Sequence, residues 1–330
     1  MSDDQLAARL AELECPLAER LELPRRKLGG RLWRSPELQR ALPLSIASRL
    51  AMMRAALTWR LSRRYRQAML LHATALAGPE ASPEELRRLA RAHLAEQCLQ
   101  RCLTLHPDAH IPLRGLEHLE RARADGRGVI VASFHMGLMW NVKFVLAAHV
   151  HRLYVESLVV PPSDRPGGRW CIAQQTWAEE VGCRWVSLGG SYPVFRALLE
   201  RGEVCKIAWD VGGTRAVPVQ VLGRTLHVSG GLGRLALETG AFVVPIFAWR
   251  EEDGPVAVLF SAIDPHQVEG ESELNARIAS AFESALAPRL AQAHFPPGGG
   301  LFPDRFEELT EVSAGRPPPG GPSPLPPGGG

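Results

Sequence analysis

GVIVASFHMGLMWN, residues 128–141, decides how the chain is read. Its first seven residues, GVIVASF, form a continuous apolar run of strand length, as expected of a strand covered on both faces. His135 follows at once, and open α/β sheets place their ligand clefts at the C-terminal edge of such strands. A helix is expected over about 137–148, which would put His135 near its start. There the positive end of the helix dipole favours a neutral imidazole fit to accept a proton. A hydrogen-bonded structural histidine is the other reading this position allows.

Downstream, short strands alternate with helices. LYVESLVV (153–160), RWVSL (184–188), EVCKIAW (203–209), AFVVPIFAW (241–249) and PVAVLFS (255–261) read as strands. Helices are expected at 169–181, 192–201, 231–239 and about 272–290, and AVPVQVLG with RTLHVS as a hairpin-like insertion. This rhythm predicts an α/β fold, a mostly parallel sheet flanked by helices. Upstream, residues 1–30 read as a loosely attached leader with one short helix. Residues 31–125 read as a helical lead-in. Ser82-Pro83-Glu84-Glu85 is a capping box that should start a helix running to about Leu105. The sheet-bearing core is expected over 126–295. The proline- and glycine-rich residues 296–330 are expected to be disordered.

Composition bounds the function. Hydrophobic residues at 45% and charged residues at 22% suit a globular core and exclude disorder of the whole chain. The net charge of +3 gives no reason to expect nucleic acid, but it is unevenly spread. Residues 31–66 hold nine arginines against one acid, Glu37. Over 43–76, Leu50, Met53, Leu57 and Leu61 recur at helical spacing among these arginines. Such a helix either packs on the domain with a solvated arginine face or lies on a membrane surface. The stretch Leu42 to Leu61 is broken by Arg49, Arg54 and Arg60, so no transmembrane span is expected. The polar start MSDDQLAARL predicts no secretory signal, and the expectation is a cytoplasmic protein, peripheral to the inner membrane if the 43–66 helix touches lipid. The six cysteines show no metal-ligand spacing and read as reduced thiols, and no metal is expected.

GVIVASFHMGLMW resembles the first sequence block of the lipid A lauroyl/myristoyl-type acyltransferases, a branch of the lysophospholipid acyltransferase superfamily. In that block an apolar strand is followed by histidine, four residues, and Asp or Glu. IAWDVGG, the hairpin and GGLGRLALETGAFVVPIFAWR follow the order of the family's later pieces. RRYRQAMLLHATALAGPEASPEELRRLARAHL resembles the basic helix and capped helix ahead of its site. The likeness covers roughly 35–290 and implies a glycerolipid acyltransferase-like fold with an N-terminal helical lead-in.

The resemblance implies transfer of a fatty acyl group from an acyl-carrier-protein or acyl-CoA thioester to a hydroxyl or amine acceptor. His135 would be the general base, with no cofactor beyond the thioester cosubstrate. The family's acid, separated from the histidine by four residues, is replaced by Trp140. Two substitutes offer themselves. Asn141 is adjacent to that position, and Asp210 ends the strand EVCKIAW on the same sheet edge and matches an acidic position the family keeps. Asp210 is otherwise a loop cap or a partner for Arg215. Arg165 and Arg169 follow the second strand, where the family places an arginine for phosphate or the thioester carbonyl; they read equally as surface residues. Trp140 and Asn141 are the expected substrate-side neighbours of the histidine. Gly230, Gly231 and Gly233 open a helix where free amides could cradle an anion, or they form a simple turn. An amine acceptor arriving unprotonated would need less of a base, which suits the loss of the acid and points to a specialised biosynthetic product. The same loss keeps open a catalytically degenerate acyl-binding or scaffold protein. No G-x-S-x-G elbow is present to support a serine hydrolase.

Overall fold

The computed structural model describes residues 1–13, 40–78, 80–104, 106, 110–157, 176–187, 190–210 and 215–293. Most of the leader, the start of the arginine-rich segment, Arg165, Arg169 and the 296–330 tail lie outside them. The elements run α1 (Asp3–Leu13), α2 (Leu44–Leu61), α3 (Arg63–Ala77), α4 (Pro83–Thr104), β1 (Leu113–Arg114), α5 (Leu116–Ala124), β2 (Val129–Ser133), α6 (Val142–Ala147), β3 (Leu153–Ser157) and β4 (Cys183–Ser187). They continue with α7 (Tyr192–Leu199), β5 (Val204–Ala208), β6 (Ala216–Val221), β7 (Arg224–Ser229), α8 (Gly230–Thr239), β8 (Phe242–Glu251), β9 (Gly254–Leu259), α9 (Glu271–Leu286) and a closing 3-10 segment, Ala287–Gln292.

Seven strands lie in the order β1-β9-β8-β2-β5-β3-β4, with every pairing parallel except β8 with β9. β6 and β7 form a separate antiparallel hairpin. The mostly parallel sheet flanked by helices is therefore present as the strand–helix rhythm predicts. β2 lies between β8 and β5, and all five of its residues are buried. Ile130, Ala132 and Phe134 join α7, α8 and α9 in one apolar layer. Val129 and Val131 join α5 and α6 in the other. A strand covered on both faces has no need of polar alternation, which is why GVIVASF reads as one apolar run.

The capping box forms as expected. Glu85 accepts from the Ser82 N–H at 2.9 Å, and Ser82 Oγ accepts from the Glu85 N–H at 3.3 Å. The helical pattern over 43–76 is broken into α2 and α3 at Ser62, whose backbone is extended (φ −106°, ψ 103°) and whose hydroxyl caps Tyr65. The Arg66 guanidinium donates to the carbonyls of Trp59 and Arg60 at 2.8 and 2.7 Å, satisfying acceptors that the break leaves open. α2 buries Ala47 and Ala55, while Met53, Leu57 and Leu61 face outward. The helix packs on the domain with Arg49, Arg54 and Arg60 exposed, as one of its two readings expects, but small residues and not the leucine–methionine stripe make the contact. The leader helix is also more firmly held than expected. Leu6 is buried in the main core, and Arg201 pairs with Asp3 at 2.7 Å. Two elements have no counterpart in the sequence reading: β1 at the edge of the sheet, and α5, which packs on the sheet face over β2.

The helix expected over 137–148 is shortened to α6, and residues 137–141 are turns. His135 is therefore not at a helix N-terminus, and the dipole argument does not apply to it. The cause is Gly137, whose φ of +53° interrupts any helix running from the strand. Its N–H donates to the Gln292 carbonyl and that of Leu138 to the Ala248 carbonyl, both at 2.6 Å. A Cβ on Gly137 would lie 2.0 Å from the Ala248 oxygen, whereas one on Gly126, also at positive φ (+76°), would meet nothing within 4 Å. Gly137→Ala should therefore destabilise the protein by at least about 2 kcal/mol, and Gly126→Ala by about 1 kcal/mol. Denaturant unfolding of the two variants checks this; equal losses would mean that the clamp on the His135 turn is not tight.

Candidate active site

The site is built where β2 and β5 end side by side. Their register pairs Ser133 with Ala208, and the Trp209 N–H extends the ladder by donating to the Ser133 carbonyl at 2.9 Å. The next side chains, Phe134 and Trp209, turn into the core with ring centroids 5.2 Å apart. Phe134 stacks on Phe247 and Phe282, and the Trp209 indole N–H donates to Asn275 Oδ1 at 2.8 Å. Two immobile aromatic anchors therefore immediately precede the two polar residues that follow.

Those residues are His135 and Asp210. Asp210 Oδ2 accepts the His135 backbone N–H at 2.8 Å, and Oδ1 lies 2.8 Å from Nδ1. The Asp210 side chain is fully buried and the imidazole is partly exposed. A carboxylate can only accept, so Nδ1 carries a proton, and in the neutral ring that leaves the lone pair on Nε2. A buried carboxylate in this place also stabilises the imidazolium that forms when Nε2 takes up a proton. The arrangement is competent for general-base chemistry. Asp210 does not serve as partner for Arg215, which pairs instead with Glu271 at 2.7 Å.

The other expected residues fall elsewhere. Asn141 does not hold the imidazole. Its amide donates to the Leu103 carbonyl at 3.1 Å and its oxygen accepts from the Thr104 hydroxyl at 3.3 Å, tying the turn after His135 to the end of α4. Trp140 is half-buried, and its carbonyl accepts from the Lys143 ammonium at 2.9 Å. Its ring, with those of Phe144 and Trp185, surrounds that ammonium at 4.8–5.6 Å. Arg165 and Arg169 lie outside the described residues. Gly230 and Gly233 serve packing: a Cβ on Gly230 would lie 2.8 Å from Glu271 Oε1, and one on Gly233 would lie 3.0 Å from the Asn275 amide. A carboxylate so close to Gly230 disfavours the anion-cradle reading of these glycines and leaves the simple turn.

Two charged residues missed in the sequence lie behind the pair. The β3–β5 ladder ends at Val155 with Lys206, and the Glu156 carboxylate takes over the next amide, accepting the Ala208 N–H at 3.1 Å. Burial pushes the Glu156 carboxyl up to about 7, against the pull of that N–H, Lys206 and His135. Lys206 is buried, and burial pushes its ammonium down to about 8, opposed by Glu156 and Asp210. A second acid and a cation thus share the electrostatics of the His135–Asp210 pair. The signal was available: a glutamate inside LYVESLVV and a lysine inside EVCKIAW are charges in strands otherwise apolar enough to be buried.

A histidine held by a buried carboxylate across two adjacent parallel strands defines an α/β protein with a paired histidine–aspartate site at its sheet edge. The family described as "Bacterial lipid A biosynthesis acyltransferase" matches residues 40–295, and the chain belongs to that family. A phosphatidylinositol mannoside acyltransferase of Mycobacterium tuberculosis is 30% identical over 214 residues, covering 60% of this chain and 60% of that protein. The protein of the same name from Mycolicibacterium smegmatis is 28% identical over 144 residues, 42% of this chain and 46% of its own. The chain thus spans about 60% or less of the length of these relatives. The crystal structure of the 1-acyl-sn-glycerophosphate acyltransferase PlsC from Thermotoga maritima superposes with a TM-score of 0.38 and 15% identity, covering 74% of this chain and 97% of that one.

The buried charges make a pH prediction. The Glu156 carboxyl is raised from 4.5 to about 7 in the folded state, so its contribution to stability is full below 4.5 and is lost as pH rises through about 7. Lys206 is depressed from 10.5 to about 8, so its contribution is full above 10.5 and is lost as pH falls through about 8. Relative to Glu156→Gln, the native chain should lose stability as pH is raised from 4.5 to about 7. Unfolding curves across that window check it, and parallel pH profiles for the two proteins would contradict it.

Proposed function

We propose that this chain moves a fatty acyl group from an acyl-carrier-protein or acyl-CoA thioester to a hydroxyl or amine acceptor, with His135 as general base. The observation that carries this reading is the pairing of His135 with buried Asp210, and family membership supports the reaction class. Nε2 takes the acceptor's proton as the acceptor oxygen or nitrogen bonds to the thioester carbonyl carbon. The tetrahedral intermediate then expels the thiolate, which recovers the proton from the imidazolium, and no acyl-enzyme forms. Asp210 substitutes for the acid that Trp140 has displaced from the family pattern. Arg165 and Arg169 are assigned, by resemblance, to the oxyanion or to a phosphate.

The relatives are named for phosphatidylinositol mannoside, so glycolipid hydroxyls head the acceptors to be tried, followed by amines. A lipid acceptor would bring the protein to a membrane surface, with the 43–66 segment as the element in contact. The Trp140 substitution favours one rival, a degenerate chain that binds acyl groups without transferring them. Thiol release from acyl-carrier protein and acyl-CoA, measured with and without acceptor, separates the two. Acceptor-dependent release should fall by about 10²–10⁴-fold in His135→Ala and in Asp210→Asn, whose amide would turn a donor toward Nδ1. Saturable acyl binding with no release from any donor would establish the rival.

A further inference from the structure

β8 outruns its neighbour on one side. It extends from Phe242 to Glu251, whereas β2 pairs with it only as far as Ser133 against Ile246. Past that point the edge of β8 would be left as bare backbone, and backbone groups shielded from water need partners. Two other pieces of chain supply them. The Leu138 N–H donates to the Ala248 carbonyl at 2.6 Å. Further along, the Gln292 side chain serves Arg250 twice: its Oε1 accepts the Arg250 N–H and its Nε2 donates to the Arg250 carbonyl, both at 2.8 Å. A primary amide carries a donor and an acceptor side by side, so this one side chain continues the ladder as a strand residue would.

The backbone of the same residue holds the turn after His135. The Gln292 carbonyl accepts the Gly137 N–H at 2.6 Å and, on its second lone pair, the Gln100 side-chain amide at 3.3 Å. Ala293 forms an antiparallel bridge with Met136, and both are buried. One residue earlier, the Ala291 carbonyl accepts from His93 Nδ1 at 3.1 Å. The end of the 3-10 segment is thus tied to α4 on one side and to β8 on the other. Between those ties it touches the two residues that follow His135. The two side-chain bonds to Arg250 set how close the segment sits to the sheet edge, and therefore where its carbonyl meets Gly137.

We infer that Gln292 is a positioning residue for His135, acting through the Met136–Gly137 turn. Asp210 holds the His135 N–H and so fixes the residue from its N-terminal side. Gln292 and Ala293 hold the next two residues and fix it from its C-terminal side. With both neighbours held, the backbone angles that aim the imidazole are set, and Nε2 is presented at one place on the sheet edge. A displacement of about 1 Å in a catalytic group costs on the order of 10²-fold in rate. The role in turnover rests on the acyl-transfer reading above; the role in orienting the ring does not.

The test compares two full-length variants. Gln292→Met keeps the side-chain length but cannot bond to Arg250, and Gly126→Ala lowers stability at the opposite end of β2. In acceptor-dependent thiol release, Gln292→Met should lose about 10–10²-fold in kcat with KM for the thioester within about twofold, and Gly126→Ala should keep both. Proton-detected ¹⁵N spectra of His135, recorded without substrate, should show the Nδ1 proton signal weakened and moved upfield in Gln292→Met and unchanged in Gly126→Ala. A native ring signal in Gln292→Met overturns the inference whatever the rate, and so does an unchanged kcat where transfer is measurable. Hydrogen exchange in the native chain needs no variant: the Gly137 N–H should exchange at least about 100-fold more slowly than an open amide, and an unprotected Gly137 also overturns the inference. If no donor and acceptor react, the acyl-transfer reading fails, while the ring signal and the Gly137 protection still decide the role of Gln292.

Discussion

Everything at the site depends on the parallel register of β2 against β5. Because Ser133 pairs with Ala208 and the Trp209 N–H continues the ladder, His135 and Asp210 leave the sheet at the same level on neighbouring strands. The histidine and its acid come from separate stretches of chain, 75 residues apart. A one-residue slip would turn Phe134 and Trp209 out of the core and carry the carboxylate to the other face. The Phe134–Trp209–Phe247–Phe282 cluster guards against that slip, since each ring fills space that only this register provides.

The same dependence explains how the chain tolerates tryptophan at position 140. An acid at the position of Trp140, separated from the histidine by four residues, acts within a single turn of chain. Asp210 acts across strands and binds both the backbone N–H and the ring of His135, fixing orientation and tautomer together. Freed from that task, the turn after His135 takes on structural ones. Gly137 and Leu138 are clamped to Gln292 and Ala248, Asn141 is tied to α4, and the Trp140 carbonyl receives Lys143. The price of this design is a set of charges beneath the sheet edge, Glu156 and Lys206 among them, that must be held in a poorly solvated place.

Much of this was legible in the sequence because it was written in short-range patterns. The apolar runs GVIVASF and EVCKIAW mark the central strands, Ser82 and Glu85 mark a cap, and strand-end position together with the family resemblance points to His135 and Asp210. What escaped depended on long-range contacts. β1 is two residues long and carries no periodicity. The helix expected from Gly137 fails because carbonyls from β8 and the 3-10 segment hold that turn at a positive φ. The stripe of α2 is correctly periodic, but periodicity does not say which way a stripe faces; the small size of Ala47 and Ala55 against α4 decides it. Asn141 is near His135 in sequence, but its partners Leu103 and Thr104 lie on another element. Glu156 and Lys206 carried a signal in their placement within apolar strands that strand assignment alone did not weigh.

The central claim is that buried Asp210 sets the protonation of His135. Proton-detected ¹⁵N spectra of the histidine rings, with the His135 signals assigned by their loss in His135→Gln, measure this directly. The account predicts a proton on Nδ1, shifted downfield by its bond to the carboxylate, and an unprotonated Nε2, with that pattern lost in Asp210→Ala. A His135 ring protonated on Nε2 alone, or one unchanged when Asp210 is removed, would contradict it.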